Sequence, residues 1–197
     1  PSEPNEIKAT KEKYTQNADY FLFVGALSPR KNVYNLLLAF EQFKEKSKSK
    51  FKLVIVGEKM FKTKEMEQIF SKMKYKKDVV FTGRKQPKEL RKLYGAAYAL
   101  TFVPYFEGFG VPIIEAMNCE TAVITSKLTS MPEVAGNAAL LVDPFSVSSI
   151  ANAMIKIFDE PKTRLQLIEK GKIQCKQFSW DKTADKFWKS IEKVMYE

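Results

Sequence analysis

Apolar and polar residues follow two patterns in turn between residues 20 and 160. Short runs that are apolar throughout, with many β-branched and aromatic residues, predict buried strands. These runs are 20–25, 51–57, 78–83, 98–103, 121–125 and 138–143. Segments with apolar residues three or four positions apart lie between the runs and predict amphipathic helices, at 32–46, at 64–73, after Pro87 and from Pro112. Apolar strands separated by helices of about 10 to 15 residues are typical of a parallel sheet, so the pattern predicts a doubly wound, Rossmann-like α/β domain of about six strands with helices on both faces.

The two ends of the chain differ from this alternation. Residues 1–19 are charged and polar, and we interpret them as a lead-in or interdomain segment before one domain at 20–197. A helix is predicted from Pro161, and residues 178–197 predict a final helix with no strand before it. Because the chain opens on Pro1 without an initiator methionine, we expect it to be a fragment of a longer protein.

The charge of the chain favours an anionic partner. Lys and Arg number 33 and Asp and Glu 23, which gives a formal net charge of +10. Phosphate, nucleic acid and an acidic membrane surface all fit this charge. The aromatic residues recur at core spacing and are not interleaved with Arg, which disfavours nucleic acid. No apolar run reaches the roughly 18 to 20 residues that cross a bilayer.

The composition also limits the chemistry. There is no histidine, and Cys119 and Cys175 are far apart without spaced partners, so the sequence predicts neither a metal site nor a disulfide framework. A reducing cytoplasm fits this cysteine usage best. Any catalysis would have to use carboxylates or groups supplied from elsewhere.

Two loops carry candidate chemistry, because ligands of doubly wound sheets bind outside the carboxyl ends of the strands. The segment "EGFGVP" follows the strand at 98–103, and its glycines, followed by Pro112, predict a tight turn into a helix at about 111–118. The free N–H groups of that helix start would form an anion site. Glu107 and Glu115 frame the turn, and paired carboxylates suit sugar hydroxyls. The alternative is that Glu107 caps a turn and Glu115 lies on an ordinary helix surface.

The second loop, "GALSPRKN", places Arg30 and Lys31 just before a helix, with Asn32 as its expected N-cap. Cations at a helix start oppose the helix dipole, so two of them need a reason. A diphosphate between them and the helix at 111 would supply one. A solvated basic loop is the alternative.

Five segments, in order along the chain, resemble one known family. They are "YFLFVGALSPRKNVYNLLLAF", "FTGRKQPKELRKLYGAA", "EGFGVPIIEAM", "SMPEVAGNAALLVDP" and "FSW". They resemble the carboxy-terminal, donor-binding half of retaining GT-B glycosyltransferases, of the group 1, family 4-like and mannosyltransferase-like kind. The match runs from about residue 20 to the end, and five motifs in the right order are far more specific than one Gly-rich turn.

The resemblance implies roles for individual residues. Lys31 and Arg30 would neutralise the nucleotide diphosphate, and Glu107 would lie near the reacting carbon of the sugar, as a nucleophile or as a stabiliser. The amides of Phe109 and Gly110 would hold sugar hydroxyls, that of Val111 would face a phosphate, and Glu115 would bind the ribose hydroxyls. The remaining implied donor-binding residues are Gly25 and, beside the base, Gly83, Arg84 and Lys85.

The resemblance also implies a function. The whole enzyme would be a hexosyltransferase of polysaccharide biosynthesis, using a GDP-, UDP- or dTDP-hexose and no metal or other cofactor. The acceptor, a glycan or a lipid-linked glycan, would be bound by a missing amino-terminal domain toward which the helix at 178–197 packs, so the fragment would be inactive alone. The enzyme would be cytoplasmic, either free or peripherally associated with the inner face of the membrane, and would bind no nucleic acid. The alternative function is a non-catalytic basic α/β module that binds anionic lipid head groups or nucleic acid.

Overall fold

A computed structural model describes residues 2–58 and 64–196 of the chain. Its six strands form one parallel sheet in the order β3-β2-β1-β4-β5-β6. The strands are β1 Tyr20–Val24, β2 Lys52–Val56, β3 Val79–Gly83, β4 Ala99–Phe102, β5 Ala122–Ser126 and β6 Ala139–Val142. The predicted doubly wound, Rossmann-like sheet is confirmed, and each predicted strand is present within about two residues.

One helix precedes the first strand, and the others fill the connections between the strands and follow the last one. They are α1 Pro4–Thr15, α2 Val33–Ser47, α3 Lys64–Lys72, α4 Pro87–Ala96, α5 Val111–Asn118, α6 Met131–Ala135, α7 Val147–Asp159, α8 Pro161–Gln174 and α9 Trp180–Tyr196. Three-residue 3₁₀ turns lie at Pro29–Lys31, Lys76–Asp78 and Cys175–Gln177. Right-handed crossovers place α2 and α3 on one face of the sheet and α4, α5 and α6 on the other. The loop after β2, at the carboxyl edge of the sheet, falls partly on residues 59–63, outside the described residues.

The first helix was not predicted, because residues 1–19 read as a polar lead-in. In the structure α1 packs against α4, where Lys13 Nζ and Tyr14 Oη lie 2.6 and 2.7 Å from the Glu89 carboxylate. Thr10 and Thr15 are its buried side chains. A helix with so few buried apolar residues leaves no periodic signal in the sequence, because polar tertiary contacts hold it in place.

The core lies on both sides of β1, whose five residues are all buried. Phe21 packs edge-on against Phe43 of α2 with ring centroids 5.0 Å apart, and Phe158 of α7 packs edge-on against Phe43 at 5.7 Å. These ring contacts join α2 and α7 over one face of the sheet. None of the helices among the described residues is long and apolar enough to span a bilayer.

The strand order changes direction at β1, because β2 and β3 lie on one side of it and β4, β5 and β6 on the other. The loops after β1 and β4 therefore diverge at the carboxyl edge and leave a crevice between them. Arg30 and Lys31 lie in the first of these loops and Glu107 in the second.

Candidate active site

Three charged side chains meet at this crevice. Lys31 Nζ lies 2.6 Å from Glu107 Oε1, and the Arg30 guanidinium donates to the same carboxylate oxygen. Arg30 Nη1 also donates to the carbonyl of Phe106 at 2.9 Å. The side chains of Lys31 and Glu107 are only 13% and 12% exposed, whereas that of Arg30 is 49% exposed. This ion-pair cluster therefore has one carboxylate shared by two cations, with an excess of one positive charge.

Asn32 ties the two loops together, and the expectation that its side chain caps α2 was wrong. It occupies the residue before the helix with φ 59°, and its side chain makes no capping hydrogen bond. Its Nδ2 instead donates to the carbonyls of Val103 at 2.9 Å and Pro144 at 2.8 Å. The left-handed backbone turns the amide toward the loops after β4 and β6, and the N–H of Tyr105 donates to the Arg30 carbonyl at 3.0 Å. These bonds hold Arg30 and Lys31 against the loop that carries Glu107.

The turn before α5 has the predicted form. Gly110 precedes the helix with φ 99°, and a Cβ there would lie 2.7 Å from Met131 Cε, so both conformation and space require glycine. Pro112 lies in the first turn of α5. Ser130 Oγ donates to the carbonyls of Glu107 at 2.9 Å and Phe109 at 3.2 Å, which fixes the turn from outside. Phe109 and Val111 are 43% and 55% exposed. Their predicted roles toward a ligand stay predictions.

A cavity of about 630 Å³ opens beside the cluster. Four of the predicted donor-binding residues line it, namely Gly25, Arg84, Lys85 and Glu115. Gly83, Phe109, Gly110 and Val111 are not among its lining residues, nor are the three charged residues of the cluster. Lys31 nevertheless adjoins it, because the Lys31 Cε lies 3.6 Å from the position that a Cβ of Gly25 would take.

Gly57 forms part of the cavity floor, and sequence reasoning missed it. A Cβ on Gly57 would lie 1.9 Å from the carbonyl oxygen of Gly25, and its φ is 151°. Its N–H donates to the carbonyl of Gly83 at 3.1 Å, while the N–H of Gly25 donates to that of Val56 at 2.9 Å. The signal was available, since the two glycines directly follow the adjacent strands β1 and β2. Close backbone approach at this floor leaves room for a ligand above it.

Glu115 forms part of the cavity wall and has a neutral partner. Tyr94 Oη, itself buried, donates to Glu115 Oε2 at 2.7 Å. Burial and, after it, the charge of Glu115 hold the pKa of the Tyr94 phenol well above its ordinary range. The phenol therefore stays protonated and remains a donor at neutral pH. Sequence reasoning missed Tyr94, because an aromatic residue on an amphipathic helix reads as core.

Metal ligands are absent from this arrangement in the described ranges. Among residues 2–58 and 64–196, no group of three or more His, Cys, Asp or Glu side chains is placed to hold an ion. The expectation that no metal takes part stays a prediction.

Comparison with known proteins identifies the family. Residues 5–174 match the family described as "Glycosyl transferases group 1". The chain belongs to the group 1 glycosyltransferases. The matched region of this glycosyltransferase chain begins inside α1 and ends with α8.

Two relatives are named as O-antigen chain mannosyltransferases. The glycosyltransferase chain is 31% identical over 182 residues to O-antigen chain mannosyltransferase B of Escherichia coli, which covers 92% of this chain and 48% of the relative. It is 34% identical over 146 residues to O-antigen chain mannosyltransferase RfbU of Salmonella typhimurium, which covers 74% of this chain and 40% of the relative. The chain thus spans less than half the length of these relatives.

Solved structures agree on the fold. HepE from Anabaena, in complex with UDP-glucose, superposes with a TM-score of 0.87 at 19% identity over 98% of this chain and 54% of that one. The carboxy-terminal domain of a group 1 glycosyl transferase, LpcC from Francisella tularensis, superposes with a TM-score of 0.76 at 22% identity and covers 90% of this chain and 93% of that one. At these identities the likeness shows a shared fold alone.

Proposed function

We propose that this chain is the donor-binding part of a retaining hexosyltransferase, which moves a hexosyl group from a nucleoside-diphosphate sugar to a glycan or lipid-linked acceptor. One observation carries the proposal. The cavity with Glu115 in its wall adjoins the ion-pair cluster of Arg30, Lys31 and Glu107 through Gly25. The two parts suit the two halves of such a ligand, a nucleoside and a charged diphosphate-sugar.

The nucleoside end fits the cavity. Tyr94 donates to Glu115 Oε2, and within residues 2–58 and 64–196 no donor is bonded to Oε1, which can therefore accept from ribose hydroxyls. Arg84 and Lys85 lie in the loop after β3 and line the part of the cavity where the base would lie. A volume of about 630 Å³ falls within the usual range for sites of small ligands and cofactors.

The diphosphate end fits the cluster. Lys31 and Arg30 supply positive charge on one side of the crevice, and the first N–H groups of α5 supply partial positive charge on the other. When the bond from the anomeric carbon to the diphosphate oxygen breaks, its electron pair goes to the diphosphate. Cationic groups aimed at that developing charge lower the barrier. Glu107 would face the anomeric carbon, as a covalent nucleophile or as a stabiliser of an oxocarbenium-like state.

Support for the sugar chemistry comes from the relatives. The two named above are mannosyltransferases of O-antigen chains, and HepE was solved with UDP-glucose. Since these relatives are about twice as long as this chain, we expect a further domain to help bind the acceptor and to pack against α9. We propose a cytoplasmic location, at the inner face of the membrane where a lipid-linked acceptor would lie.

Ligand-dependent thermal unfolding tests the proposal. UDP, GDP, ADP and dTDP are compared with their nucleosides on the 197-residue chain. A ligand present at about 100 times its dissociation constant stabilises the native state by about 2.7 kcal/mol. We expect one diphosphate to exceed the others, and no sugar transfer by the isolated chain.

Two results would contradict this proposal. Measurable transfer by the isolated chain would refute the need for a second domain. Equal stabilisation by every diphosphate and by inorganic tripolyphosphate, lost steeply with salt, would instead favour a non-catalytic polyanion-binding module.

A further inference from the structure

Three aromatic side chains lie together at the carboxyl edge of the sheet, and the proposed donor site uses none of them. We call them the aromatic platform: Tyr34, Tyr105 and Phe145. Phe145 is 68% exposed and Tyr34 42%. The rings of Tyr105 and Phe145 stack with centroids 4.8 Å apart and an angle of 19° between their planes. Burial and then the neighbouring Tyr34 raise the pKa of the Tyr105 phenol, so it stays neutral.

A buried polar network holds the backbone of the loop that carries Phe145. The carbonyl of Pro144, directly before it, accepts from Asn32 Nδ2 at 2.8 Å and from Asn35 Nδ2 at 2.9 Å. Asn35 also donates to Tyr105 Oη at 3.0 Å, and the N–H of Phe145 donates to Asp143 Oδ1 at 3.0 Å. Both asparagines are buried. Because burying amide groups is costly unless they are bonded, this network orders the backbone of the loop that presents the Phe145 ring to solvent.

The platform adjoins the ion-pair cluster. The Tyr105 N–H donates to the Arg30 carbonyl at 3.0 Å, and the Arg30 guanidinium contacts both the Phe106 carbonyl and Glu107. The cavity adjoins the same cluster by a different contact, between Lys31 and Gly25. Platform residues come from the start of α2 and from the loops after β4 and β6, whereas the cavity is built from the loops after β1, β2 and β3 with α4 and α5. The ion-pair cluster therefore contacts both the cavity and the platform.

We propose that the aromatic platform binds a pyranose ring of the acceptor glycan. The inference rests on the proposed function, because it takes the cluster as the place where the transferred sugar lies. With the nucleoside in the cavity and the sugar at Glu107, the platform is the surface that adjoins the position of the sugar. An acceptor hydroxyl would approach the sugar from this surface. The C–H groups on the flat face of a pyranose carry partial positive charge and stack on the negative face of an aromatic ring.

The neighbouring charges favour a neutral sugar over an anionic lipid surface. Arg30 is paired with Glu107, and Asp143 is paired with Lys127 at 2.9 Å. Both flanking cations thus have a carboxylate partner, which leaves the cluster with one excess positive charge, while Tyr105 Oη offers a polar group beside the rings. The donor-binding part of the enzyme would then contribute directly to acceptor recognition, beyond what another domain supplies.

Titration with mannotriose tests this inference on the 197-residue chain, with ¹³C-labelled aromatic rings observed by NMR. We expect the ring signals of Phe145 and Tyr105 to shift and saturation to transfer from them to the sugar. Phe145→Ala should weaken mannotriose binding by about three- to tenfold, the range for an aromatic contact, while Phe145→Tyr keeps it within about twofold. Phe187→Ala on α9 is the matched control, because Phe187 has the same 68% exposure. It should leave the affinity unchanged.

Nucleoside diphosphate affinity, measured on the same samples, separates this inference from the proposed function. Phe145→Ala should leave it within about twofold, since the platform does not line the cavity. Unshifted platform rings in a chain that binds a diphosphate would overturn the platform alone, as would an equal loss of mannotriose binding in Phe187→Ala. A chain that no diphosphate stabilises would overturn the proposed function, whatever mannotriose does.

Discussion

In the turn before α5, the Glu107 carboxylate lies against two cations, whereas in the cavity wall the partner of Glu115 among the described residues is a neutral phenol. Both glutamates belong to one short segment, and both face the crevice side of the sheet edge. The Glu107 side chain is only 12% exposed and shares one oxygen between Arg30 and Lys31. Glu115 receives one hydrogen bond from Tyr94, at Oε2.

The difference indicates how each region meets a ligand. A diphosphate has to compete with Glu107 for cations that are already paired, so its binding exchanges one ion pair for another. A ribose that binds Glu115 Oε1 breaks no hydrogen bond of that carboxylate among the described residues, because Tyr94 donates to the other oxygen. We therefore expect mutations in the cluster to act through charge and mutations in the cavity wall to act through hydrogen bonds.

Lys31→Ala should have the largest effect. A charge-assisted bond to phosphate contributes roughly 1.5 to 3 kcal/mol, so affinity for the diphosphate should fall by about ten- to a hundredfold, with little change for the bare nucleoside. Isothermal titration of both ligands measures this difference. Lys172→Ala is the matched control, because Lys172 is also ion-paired but lies on α8. Equal losses for diphosphate and nucleoside would indicate damage to the fold and would remove the distinction between the two regions.

Glu115→Gln should have a smaller effect, because it keeps the shape of the side chain. Affinity for the ribonucleotide should fall by about 1 to 2 kcal/mol, since the charge and one acceptor are lost. The 2′-deoxy ligand already lacks one partner, so it should bind the wild type more weakly and respond less to the mutation. A double-mutant cycle should then give a coupling of at least about 0.5 kcal/mol. Purely additive losses would mean that Glu115 does not contact the ribose.

The sequence was sufficient to predict the sheet, because each strand is a run of apolar residues, and such a run indicates a buried strand whatever its tertiary neighbours are. It was not sufficient where tertiary contacts decide the structure. The helix α1 is polar and is held by Glu89, and α6 has only five residues, too few for a periodic pattern. The prediction that Asn32 caps α2 was wrong, because its amide donates to two carbonyls of other loops. No local sequence pattern indicates such long-range bonds.

For the candidate site, topology did most of the prediction. Knowing that strand ends share an edge was enough to bring Arg30, Lys31 and Glu107 to one crevice, although Glu107 lies far along the chain. The direct ion pair between them was not predicted, because a ligand was expected between the cations and the turn. Tyr94 was also missed, since its hydroxyl bond to Glu115 depends on how α4 and α5 pack.

Of the three variants, Glu107→Gln should change ligand affinity the least, and it should raise the affinity, whereas Lys31→Ala and Glu115→Gln lower it. This opposite sign makes it the sharpest test of the comparison. Removing the counter-charge leaves Lys31, whose side chain is 13% exposed, without its ion-pair partner, so the free chain should lose about 1 to 3 kcal/mol of stability. A bound diphosphate no longer competes with a carboxylate for Lys31 and Arg30. Its affinity should therefore rise by about three- to tenfold, the effect of one unit charge at a few ångströms when water screens the interaction.

Thermal unfolding with and without the diphosphate separates these two effects of Glu107→Gln. The free variant should melt below the wild type, and the shift produced by saturating ligand should be larger than in the wild type. Glu169→Gln removes a carboxylate from the Lys172 pair on α8 and should change neither the affinity nor the ligand-induced shift. If Glu107→Gln instead weakens the diphosphate, Glu107 does not compete for the cations but orders them for the ligand. The two glutamates would then both be ligand-supporting groups, and the contrast between cluster and cavity wall would be lost.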